Sequence, residues 1–522
     1  MKAPGRARTK KREWVLHGPF RREGDVGWIA DLPTEVHGLT DGNAEPFRSR
    51  LELAEDERVL GPSHSLHQTI STSGRGAYSF WQTSVYFSTS DGSDPNENEK
   101  IYKVVLPAVS APPARIASIE EATWTRPPST LRCAVIGIGN RGVALASLAQ
   151  TMAGVEISWC ADISEERLAG APALFGPHVK LTNNMHDPLA DEAVDIVIVT
   201  VPDHLHRAAA EAAFQAGKHV FLEKPLATTA ADAKAILTAW QQSGCVLQLG
   251  YVLRRAPFYA AIRDVVRRGL LGPVRMAVLS EQLGVRHGAS FMRRWHASSR
   301  NSGGLLVHKG CHDLDVLCWL LDARPTRVAS FGGLATFGRA PPAPFCSQCS
   351  ERDRCPYVDT ALHERRSPAE AADPTAYGLD RCVFHADKDI VDNQVVSFEL
   401  DNGTRGTFSL AMQGPVRSER RISLAGDLGT LAGVFEDGRF EILFADKATE
   451  PLVWRTRAGS RSGHGGGDRV TMVDFLNACV GRSPSQISSA EEAMRGLVFA
   501  LGAEQARKSG SVVTLGPADF EL

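Results

Sequence analysis

The stretch LRCAVIGIGNRGVALASLAQTM, residues 131–152, decides the fold of this chain. Its first part is a short apolar run typical of a buried strand, and its second part has the spacing of an alanine-rich helix. The same alternation continues through VEISWCAD, VDIVIVTV, AAAEAAFQAG and HVFLEKP. Strands that alternate with helices in this way predict βαβ units and a parallel sheet. We therefore expect an α/β domain over residues 131–253.

Between the first strand and the first helix, Gly137, Gly139 and Gly142 stand in G-x-G-x-x-G spacing. Glycines at these positions permit a tight turn and the close approach of a pyrophosphate, which then lies at the helix N-terminus. Asp162 ends the second predicted strand, where a carboxylate binds the ribose hydroxyls and repels the 2′-phosphate of NADP. The pattern predicts a Rossmann domain that binds NAD. The predicted cofactor site also includes two residues of the same loop, Asn140 and Arg141.

The bulk composition is that of a globular protein, with 43% hydrophobic residues, 23% charged residues and a formal net charge of -2 over 522 residues. This length predicts two or three separate cores. The balanced charge argues against a nucleic-acid partner. Because neither a secretory signal nor a membrane-spanning apolar run is visible, we expect a cytoplasmic protein with no membrane partner.

Composition divides the rest of the chain into further regions. A basic tail at 1–13 precedes residues 14–105, whose β-branched, aromatic and turn-forming residues predict a small all-β domain. Residues 106–130 are proline-rich and predict a linker. Residues 254–522 combine helices with hairpin signals, which predicts an α+β substrate domain with a large open antiparallel sheet. An insertion that contains cysteines occupies residues 340–390 of this domain.

Two motifs, TVPDHLH at 200–206 and LEKPLATT at 222–229, closely resemble those of the Gfo/Idh/MocA oxidoreductase family. The likeness runs from about Leu131 to the end of the chain and leaves out the N-terminal β domain. It implies NAD-dependent hydride transfer to or from a hydroxyl or ketone carbon of a sugar, cyclitol or sugar nucleotide. It also implies a homodimer or homotetramer that pairs through the open face of the C-terminal sheet. The resemblance adds five residues to the cofactor site, Thr200, Pro202, His206, Glu223 and Lys224.

In this family the lysine of Glu-Lys-Pro points to the place where substrate meets nicotinamide, and the matching residue is Lys224. An ammonium there polarises the substrate oxygen and stabilises alkoxide character during hydride transfer. The family's second catalytic element, Asp-x-x-x-His, resembles residues 308–312, but His308 stands in place of the aspartate. The four-residue spacing predicts that His308 and His312 share one helix face. We expect His312 to accept the proton, because imidazole titrates near neutral pH.

The substitution at His308 leaves the net reaction open. The pair formed by His308 and Lys309 is similar to one in the NAD-dependent glycosidases related to this family, so a redox-neutral glycosidase or epimerase is a second hypothesis. A third hypothesis is a non-catalytic NAD-binding sensor or a glycan-binding protein, with Trp81 and Tyr86 in contact with carbohydrate. Polyol recognition needs several fixed donors and an apolar ring face. The residues predicted to contact substrate are Tyr251, Arg254, Arg294, Trp295, His296, Lys309 and Asp313.

Four cysteines cluster in the predicted insertion, three of them in FCSQCSERDRCPY at 345–357. Thiolates at this spacing suit a tetrahedral structural zinc site, in which His385 can replace one ligand. An iron-sulfur cluster and unliganded thiols in a reducing compartment are the other interpretations. The predicted zinc ligands are Cys346, Cys349, Cys355 and Cys382.

Overall fold

A computed structural model of the chain describes residues 12–40, 49, 51–56, 58–61, 65, 67–72, 74–106, 123–358, 380–384, 388–414, 417–446, 449–456, 464–482 and 490–521. The chain divides into two compact units, Met1–Ile116 with Asp446–Glu450, and Ala117–Ala445 with Pro451–Leu522. The basic tail up to residue 11, the linker at 107–122 and His385 lie outside the described residues. Within the described ranges, no helix is long and apolar enough to cross a membrane. A cytoplasmic location stays a prediction.

The first unit consists of short antiparallel strands, as its composition indicates. These are β1 (Arg12–Leu16), β2 (Arg21–Glu23), β3 (Gly27–Asp31), β4 (Glu52–Glu55), β5 (Arg58–Val59), β6 (Tyr78–Trp81), β7 (Ser84–Ser88) and β8 (Tyr102–Leu106), with helix α1 (His67–Thr72) before β6. The strands form two sheets, in the orders β1-β8-β4-β5 and β2-β3-β7-β6. Alternate side chains such as Val85 and Phe87 are fully buried in the shared core.

Trp81 and Tyr86 lie at the margin of this core, where both are half-buried. The ring of His67 stacks on Tyr86 with centroids 3.8 Å apart and meets Trp81 edge-on at 6.2 Å. The contacts with His67 therefore cover part of the surface of both aromatic rings. Contact with carbohydrate at this position stays a prediction.

The second unit begins with the parallel sheet that the alternating pattern predicts. Its strands are β9 (Leu131–Ile136), β10 (Val155–Ala161), β11 (Lys180–Thr182), β12 (Ile196–Val199), β13 (His219–Leu222) and β14 (Leu247–Leu249). Its helices are α2 (Asn140–Gln150), α3 (Glu165–Phe175), α4 (His186–Ala190), α5 (His206–Gln215) and α6 (Ala230–Ser243). The strand order is β11-β10-β9-β12-β13-β14. All four residues of β12 are buried, which is expected for a strand covered by helices on both faces.

A nine-stranded sheet follows, made of β15 (Val274–Gln282), β16 (Pro325–Gly333), β17 (Asn393–Leu400), β18 (Arg405–Ala411), β19 (Glu419–Gly426), β20 (Gly429–Val434), β21 (Arg439–Phe444), β22 (Leu452–Arg455) and β23 (Val513–Thr514). The order is β22-β21-β20-β19-β15-β18-β17-β16-β23. The predicted antiparallel sheet is confirmed for every neighbouring pair except β15 and β18, which are parallel. Gly403, at φ 84°, forms the predicted turn between β17 and β18.

Helices connect and cover the two large sheets. They are α7 (Pro257–Arg267), α8 (Val285–Arg293), α9 (Ser299–Ser302), α10 (Cys311–Leu321), α11 (Gly467–Cys479) and α12 (Ala490–Ser509). Helix α12 packs against α10 and β16. Helix α11 returns to the first sheet, where Phe475 meets Phe221 of β13 edge-on at 5.6 Å. The two C-terminal helices thus bring the substrate half and the nucleotide half of this unit together.

Candidate active site

The glycine-rich loop lies between β9 and α2, at the carboxyl edge of the parallel sheet. Gly137 has φ 91°, and a Cβ there would lie 2.8 Å from the backbone of Thr200. A Cβ on Gly142 would lie 2.1 Å from the carbonyl oxygen of Gly137, so neither position has room for a larger residue. The space next to Gly139 is open, with the guanidinium of Arg167 as its nearest neighbour at 3.9 Å. A pyrophosphate fits this cradle at the N-terminus of α2.

Asp162 follows β10 and is tied to the glycine loop. Its carboxylate accepts hydrogen bonds from the backbone N–H of Ile138 at 2.8 Å and from that of Ser164 at 2.9 Å. The Nη1 atom of Arg167, a residue outside the predicted cofactor site, lies 3.4 Å from Oδ2 of Asp162. Asn140 is exposed at the start of α2. Asp162 is therefore well placed for a ribose, and a cation stands beside it.

Thr200 and His206 fix the loops that surround this cradle. The hydroxyl of Thr200 donates to the carbonyl oxygen of Gly137 at 2.5 Å. The buried ring of His206 has one nitrogen 2.7 Å from the carbonyl oxygen of Pro225 and the other 3.1 Å from a carbonyl oxygen of its own loop. Both residues hydrogen-bond to backbone carbonyl oxygens, and in this way they fix the loops of the predicted cofactor site.

Arg141 and Glu223, both predicted to bind the cofactor, belong to a chain of ion pairs. Nε of Arg141 bonds to Oε1 of Glu223, and its terminal nitrogens donate to Asp468 at 2.9 and 2.7 Å. The other oxygen of Glu223 accepts the backbone N–H of Lys224 at 2.9 Å. Burial opposes the ionisation of Asp468, but hydrogen bonds from His464 and Arg141 outweigh it and lower its pKa. The chain of ion pairs fixes the backbone on which Lys224 stands.

Lys224 connects the two halves of the second unit. It follows β13, and its Nζ donates to the backbone carbonyl of His308 at 2.7 Å. An ammonium has three donors, so two have no partner among the described residues and can donate to a substrate oxygen. The lysine and the histidine turn therefore meet at the position that the sequence predicts for the chemistry.

His308 lies in a π-helical turn, Leu306–Gly310, that precedes α10. Its Nδ1 is 2.5 Å from Oδ2 of Asp203, in the short turn that begins after Pro202. Burial raises the pKa of Asp203 to about 7. Burial also lowers the pKa of His308, as does the charge of Lys224. The turn brings a buried imidazole and a buried carboxylate together, and π-helical turns are frequent at functional sites.

Aromatic rings enclose His308 on its other sides. Phe291 and His296 lie with ring centroids 4.9 and 4.8 Å away, and Trp295 meets it edge-on at 5.3 Å. Trp295 and His296 also stack on each other at 4.1 Å. These rings form an apolar wall of the kind that a sugar face requires, so Trp295 and His296 stay candidates for substrate contact.

His312, in α10, is also buried. Its ring lies 6.3 Å from that of Tyr251 and 5.6 Å from that of His464. Burial and the charge of Lys224 lower its pKa well below the ordinary value, so the expected titration near neutral pH does not hold here. His308 lies in a π-helical turn and His312 in α10, so the two are not part of one continuous α-helix, and their shared face stays a prediction.

Lys309 and Asp313 form a buried ionic cluster with Glu281 of β15 and Arg420 of β19, named here the Arg420 cluster. Nζ of Lys309 lies 3.2 Å from Glu281, and Nε of Arg420 lies 3.2 Å from Asp313. Arg420 also pairs with Glu281. Burial raises the pKa of Asp313 to about 7, and Arg420 opposes that rise. Lys309 and Asp313 are thus both held in ion pairs, and their contact with substrate stays a prediction.

Arg254 is also held in buried ion pairs, and its predicted contact with substrate stays a prediction. Its guanidinium binds both oxygens of Asp315 at 2.7 and 2.6 Å and an oxygen of Glu492 at 2.6 Å. With the guanidinium 7% exposed, these carboxylates occupy it and hold α10 against α12. Tyr251, next to His312, stays a candidate for substrate contact.

Family models agree with this geometry. The model described as an oxidoreductase family with an NAD-binding Rossmann fold matches residues 131–251, and the C-terminal alpha/beta domain of the same family matches residues 263–515. Together they cover more than half of the chain. The chain belongs to the Gfo/Idh/MocA family. This confirms the predicted family, the predicted fold and NAD as the cofactor.

Several Gfo/Idh/MocA relatives are similar to this chain. YteT of Bacillus subtilis (strain 168) is 29% identical over 361 residues, which are 63% of this chain and 83% of YteT. Inositol 2-dehydrogenase of Salmonella typhimurium (strain LT2) is 32% identical over 198 residues, 37% of this chain and 55% of that enzyme. The chain thus matches about half of the inositol dehydrogenase. The structure of levoglucosan dehydrogenase with NADH and levoglucosan has a TM-score of 0.59 at 18% identity, over 74% of this chain and 99% of that one.

The cysteine insertion of this family member does not support the zinc prediction. The described residues, which include all four cysteines, hold no group of three or more His, Cys, Asp or Glu side chains arranged to bind a metal ion. All four are free thiols. Backbone hydrogen bonds from Cys346 to Asp380 and from Cys382 to Pro344 join the two cysteine segments.

Sequence reasoning missed Asp203, His464 and Asp468. Asp203 lies in the quoted TVPDHLH motif, but its partner His308 is 105 residues away, so no local spacing could pair them. His464 and Asp468 bracket HGGGD at 464–468 and are joined at 3.2 Å. A histidine and an aspartate four residues apart, with glycines between them, are a signal that could have been found.

Proposed function

We propose that this chain is an NAD-dependent dehydrogenase or reductase that acts on a hydroxyl or ketone carbon of a sugar, a cyclitol or a sugar nucleotide. The observation that carries the proposal is the ammonium of Lys224, held 2.7 Å from the backbone of His308 at the exit of the Rossmann sheet. A cation fixed at that point stabilises the negative charge that develops on the substrate oxygen. Relatives that act on inositols support the substrate class.

The residues of the cradle fit the nicotinamide cofactor. The loop from Gly137 to Gly142 leaves room for the pyrophosphate, and Asp162 lies where the adenosine ribose hydroxyls would bind. When bound, NAD accepts or supplies the hydride. The chain's own part is to hold the substrate oxygen at Lys224, to exclude water with the ring wall of Trp295 and His296, and to take up the hydroxyl proton.

A substrate panel tests this proposal. The full chain is mixed with NAD and, one at a time, with inositols, levoglucosan, free sugars, sugar nucleotides and aryl glycosides, and nicotinamide absorbance is followed. We expect NADH to form in proportion to the substrate consumed for at least one sugar or cyclitol. Release of an aglycone without net NADH would instead support the redox-neutral glycosidase. Binding of NADH with no turnover of any compound would support the non-catalytic sensor.

We also propose that the chain forms a homodimer or homotetramer through the open face of its nine-stranded sheet. Apolar side chains stand exposed there, among them Phe331, at 77% exposure, and Val395, its register partner on β17. Val278 and Met276 of β15 are exposed as well. Such a patch is costly to leave in water. Light scattering of Phe331→Asp should report a smaller species than the wild type, and an unchanged mass would contradict this interface.

A further inference from the structure

His308 and Asp203 form a buried imidazole-carboxylate pair. Nδ1 of His308 lies 2.5 Å from Oδ2 of Asp203, and both residues are buried. With its proton on Nδ1, the imidazole donates to the carboxylate and presents the lone pair of Nε2. The carboxylate then stabilises the imidazolium that forms when Nε2 takes up a proton. The pair has the composition and the geometry of a base.

His312, which the family resemblance marks as the proton acceptor, lacks such a partner. Its Nδ1 has no hydrogen-bond partner among the described residues. Its neighbours are the rings of Tyr251 and His464, and burial and the charge of Lys224 lower its pKa, as they lower that of His308. In the part of the chain that the structure describes, no carboxylate hydrogen-bonds to Nδ1 of His312 as Asp203 does to Nδ1 of His308, so an imidazolium at His312 would lack that stabilisation. His312 is therefore suited to hydrogen bonding with a substrate and poorly suited to gaining a charge.

Charged and titratable groups surround both His308 and Asp203. Several groups that can carry positive charge face His308, from the loop after β13, from α5, from α8 and the turn after it, and from its own turn, and with burial they lower its pKa. Asp203 opposes them with a carboxyl group at hydrogen-bond distance from Nδ1. The groups that face His308 are Asp203, His206, Lys224, His287, His296 and Lys309. The groups that face Asp203 in addition to His308 are His204, His206, Glu223 and Lys224. A proton gained at Nε2 is thus compensated by Asp203 at hydrogen-bond distance.

We propose that His308 is the catalytic base of the reaction and that Asp203 is its positioning residue. This inference rests on the proposed dehydrogenase function. In oxidation, the O–H bond of the substrate breaks and its proton moves to Nε2 of His308. The electron pair of the C–H bond leaves as hydride to the oxidised nicotinamide, and the carbonyl forms while Lys224 holds its oxygen. In reduction, the same proton returns from Nε2 to the alkoxide oxygen.

Asp203→Asn tests the pair because it keeps the size of the side chain and removes its charge. We expect kcat to fall by about 100-fold or more, as when the carboxylate behind a catalytic histidine is neutralised. KM and NADH affinity, measured by nicotinamide fluorescence, should change little. The acidic limb of the kcat-pH profile should move to lower pH, because Nε2 is less basic without the carboxylate. Asp203→Glu should restore part of kcat.

Two comparisons make the test specific. His312→Gln should raise KM more than it lowers kcat, and Asp437→Asn, on an exposed hairpin, is the matched control for loss of a carboxylate. A proton NMR signal of the wild type, far downfield of the amide region, should report the Nδ1 proton shared with Asp203. This signal should persist in His312→Gln and disappear in Asp203→Asn and His308→Gln.

The outcomes separate the two proposals. If the wild type turns over a substrate and Asp203→Asn keeps its kcat, the pair is not the base and the dehydrogenase stands. If the downfield signal is absent from the wild type, or disappears in His312→Gln, the assignment of His308 and Asp203 as base and positioning residue is also wrong. If the wild type turns over no sugar or cyclitol, the proposed function falls and the assignment of a base falls with it.

Discussion

His308 and Lys309 are neighbours in the sequence but belong to two different groups of charges. His308 lies with Asp203 and Lys224. Among the described residues, Nε2 of His308 and two N–H groups of Lys224 have no hydrogen-bond partner. Lys309 lies in the Arg420 cluster, where two cations and two carboxyl groups occupy one another. The comparison shows that two adjacent residues of one short motif can have different roles, the first in the proposed chemistry and the second in stability.

The largest effect is expected in the group formed by His308, Asp203 and Lys224. Lys224→Ala removes the charge that stabilises the developing alkoxide, and we expect kcat to fall by about 1,000-fold. Steady-state kinetics with the substrate found in the panel measures this loss, and NADH fluorescence checks that the cofactor still binds. Lys508→Ala, an exposed lysine of α12, is the matched control. Full activity of Lys224→Ala would remove the lysine from the mechanism.

Substitutions in the Arg420 cluster should lower the stability of the fold more than the activity. Glu281→Gln leaves Lys309 and Arg420 buried with less opposing charge, and we expect the free energy of unfolding to fall by about 3 kcal/mol. Urea unfolding measures the change, and Glu441→Gln in an exposed ion pair should cost about 1 kcal/mol or less. The folded fraction should lose far less kcat than Lys224→Ala does. An equal loss of kcat would show that the two groups are not separate.

Asp468 makes the stability of the folded chain depend on pH. Its pKa is lowered in the folded chain, so its contribution to stability is full above the pKa of an unfolded aspartate, about 3.9, and is lost as pH falls below it. Asp468→Asn should lower the free energy of unfolding by about 2 kcal/mol at neutral pH, because it weakens hydrogen bonds to charged groups. The difference from the wild type should shrink near pH 3. A difference that stays constant with pH would exclude this ion pair as its cause.

The smallest effect concerns the choice of nucleotide. Asp162→Ala removes the charge that repels a 2′-phosphate and leaves Arg167 beside the vacated place. We expect kcat/KM for NADP relative to NAD to rise by about tenfold. The double variant Asp162→Ala with Arg167→Ala should lose most of this gain. If the ratio does not move in the single variant, Asp162 does not discriminate between the two cofactors.

The sequence was sufficient for the Rossmann half because that half repeats a local pattern. The apolar strand at 131–136, the three glycines and Asp162 all lie within a few dozen residues, and their spacing alone specifies the turn and the strand end. The nine-stranded sheet was predicted less well, since a parallel contact between β15 and β18 joins strands more than a hundred residues apart. Hairpin turns indicate neighbouring strands but not such distant pairings.

The charged residues were the hardest to assign. Arg254 and Arg141 look like free cations in the sequence, but their carboxylate partners lie 61 and 327 residues away. A side chain's partner decides whether it binds substrate or stabilises the fold, and that partner is set by tertiary structure. Lys224 follows β13 at the sheet exit, and its position depends on that strand and the following turn, both of which are local, so sequence could locate it. Its catalytic role stays a prediction.

Helix α11 has a consequence for how the chain is made. Its residues Met472, Val473, Phe475 and Leu476 fill part of the core around the parallel sheet, together with residues from 131 onward. During synthesis on the ribosome, the core of the nucleotide-binding half is therefore complete only after the residues of α11 have been produced, more than two hundred residues after its last strand. A chain that stops before residue 467 exposes that core to water and lacks Asp468 for Arg141, so incomplete products should not capture NAD.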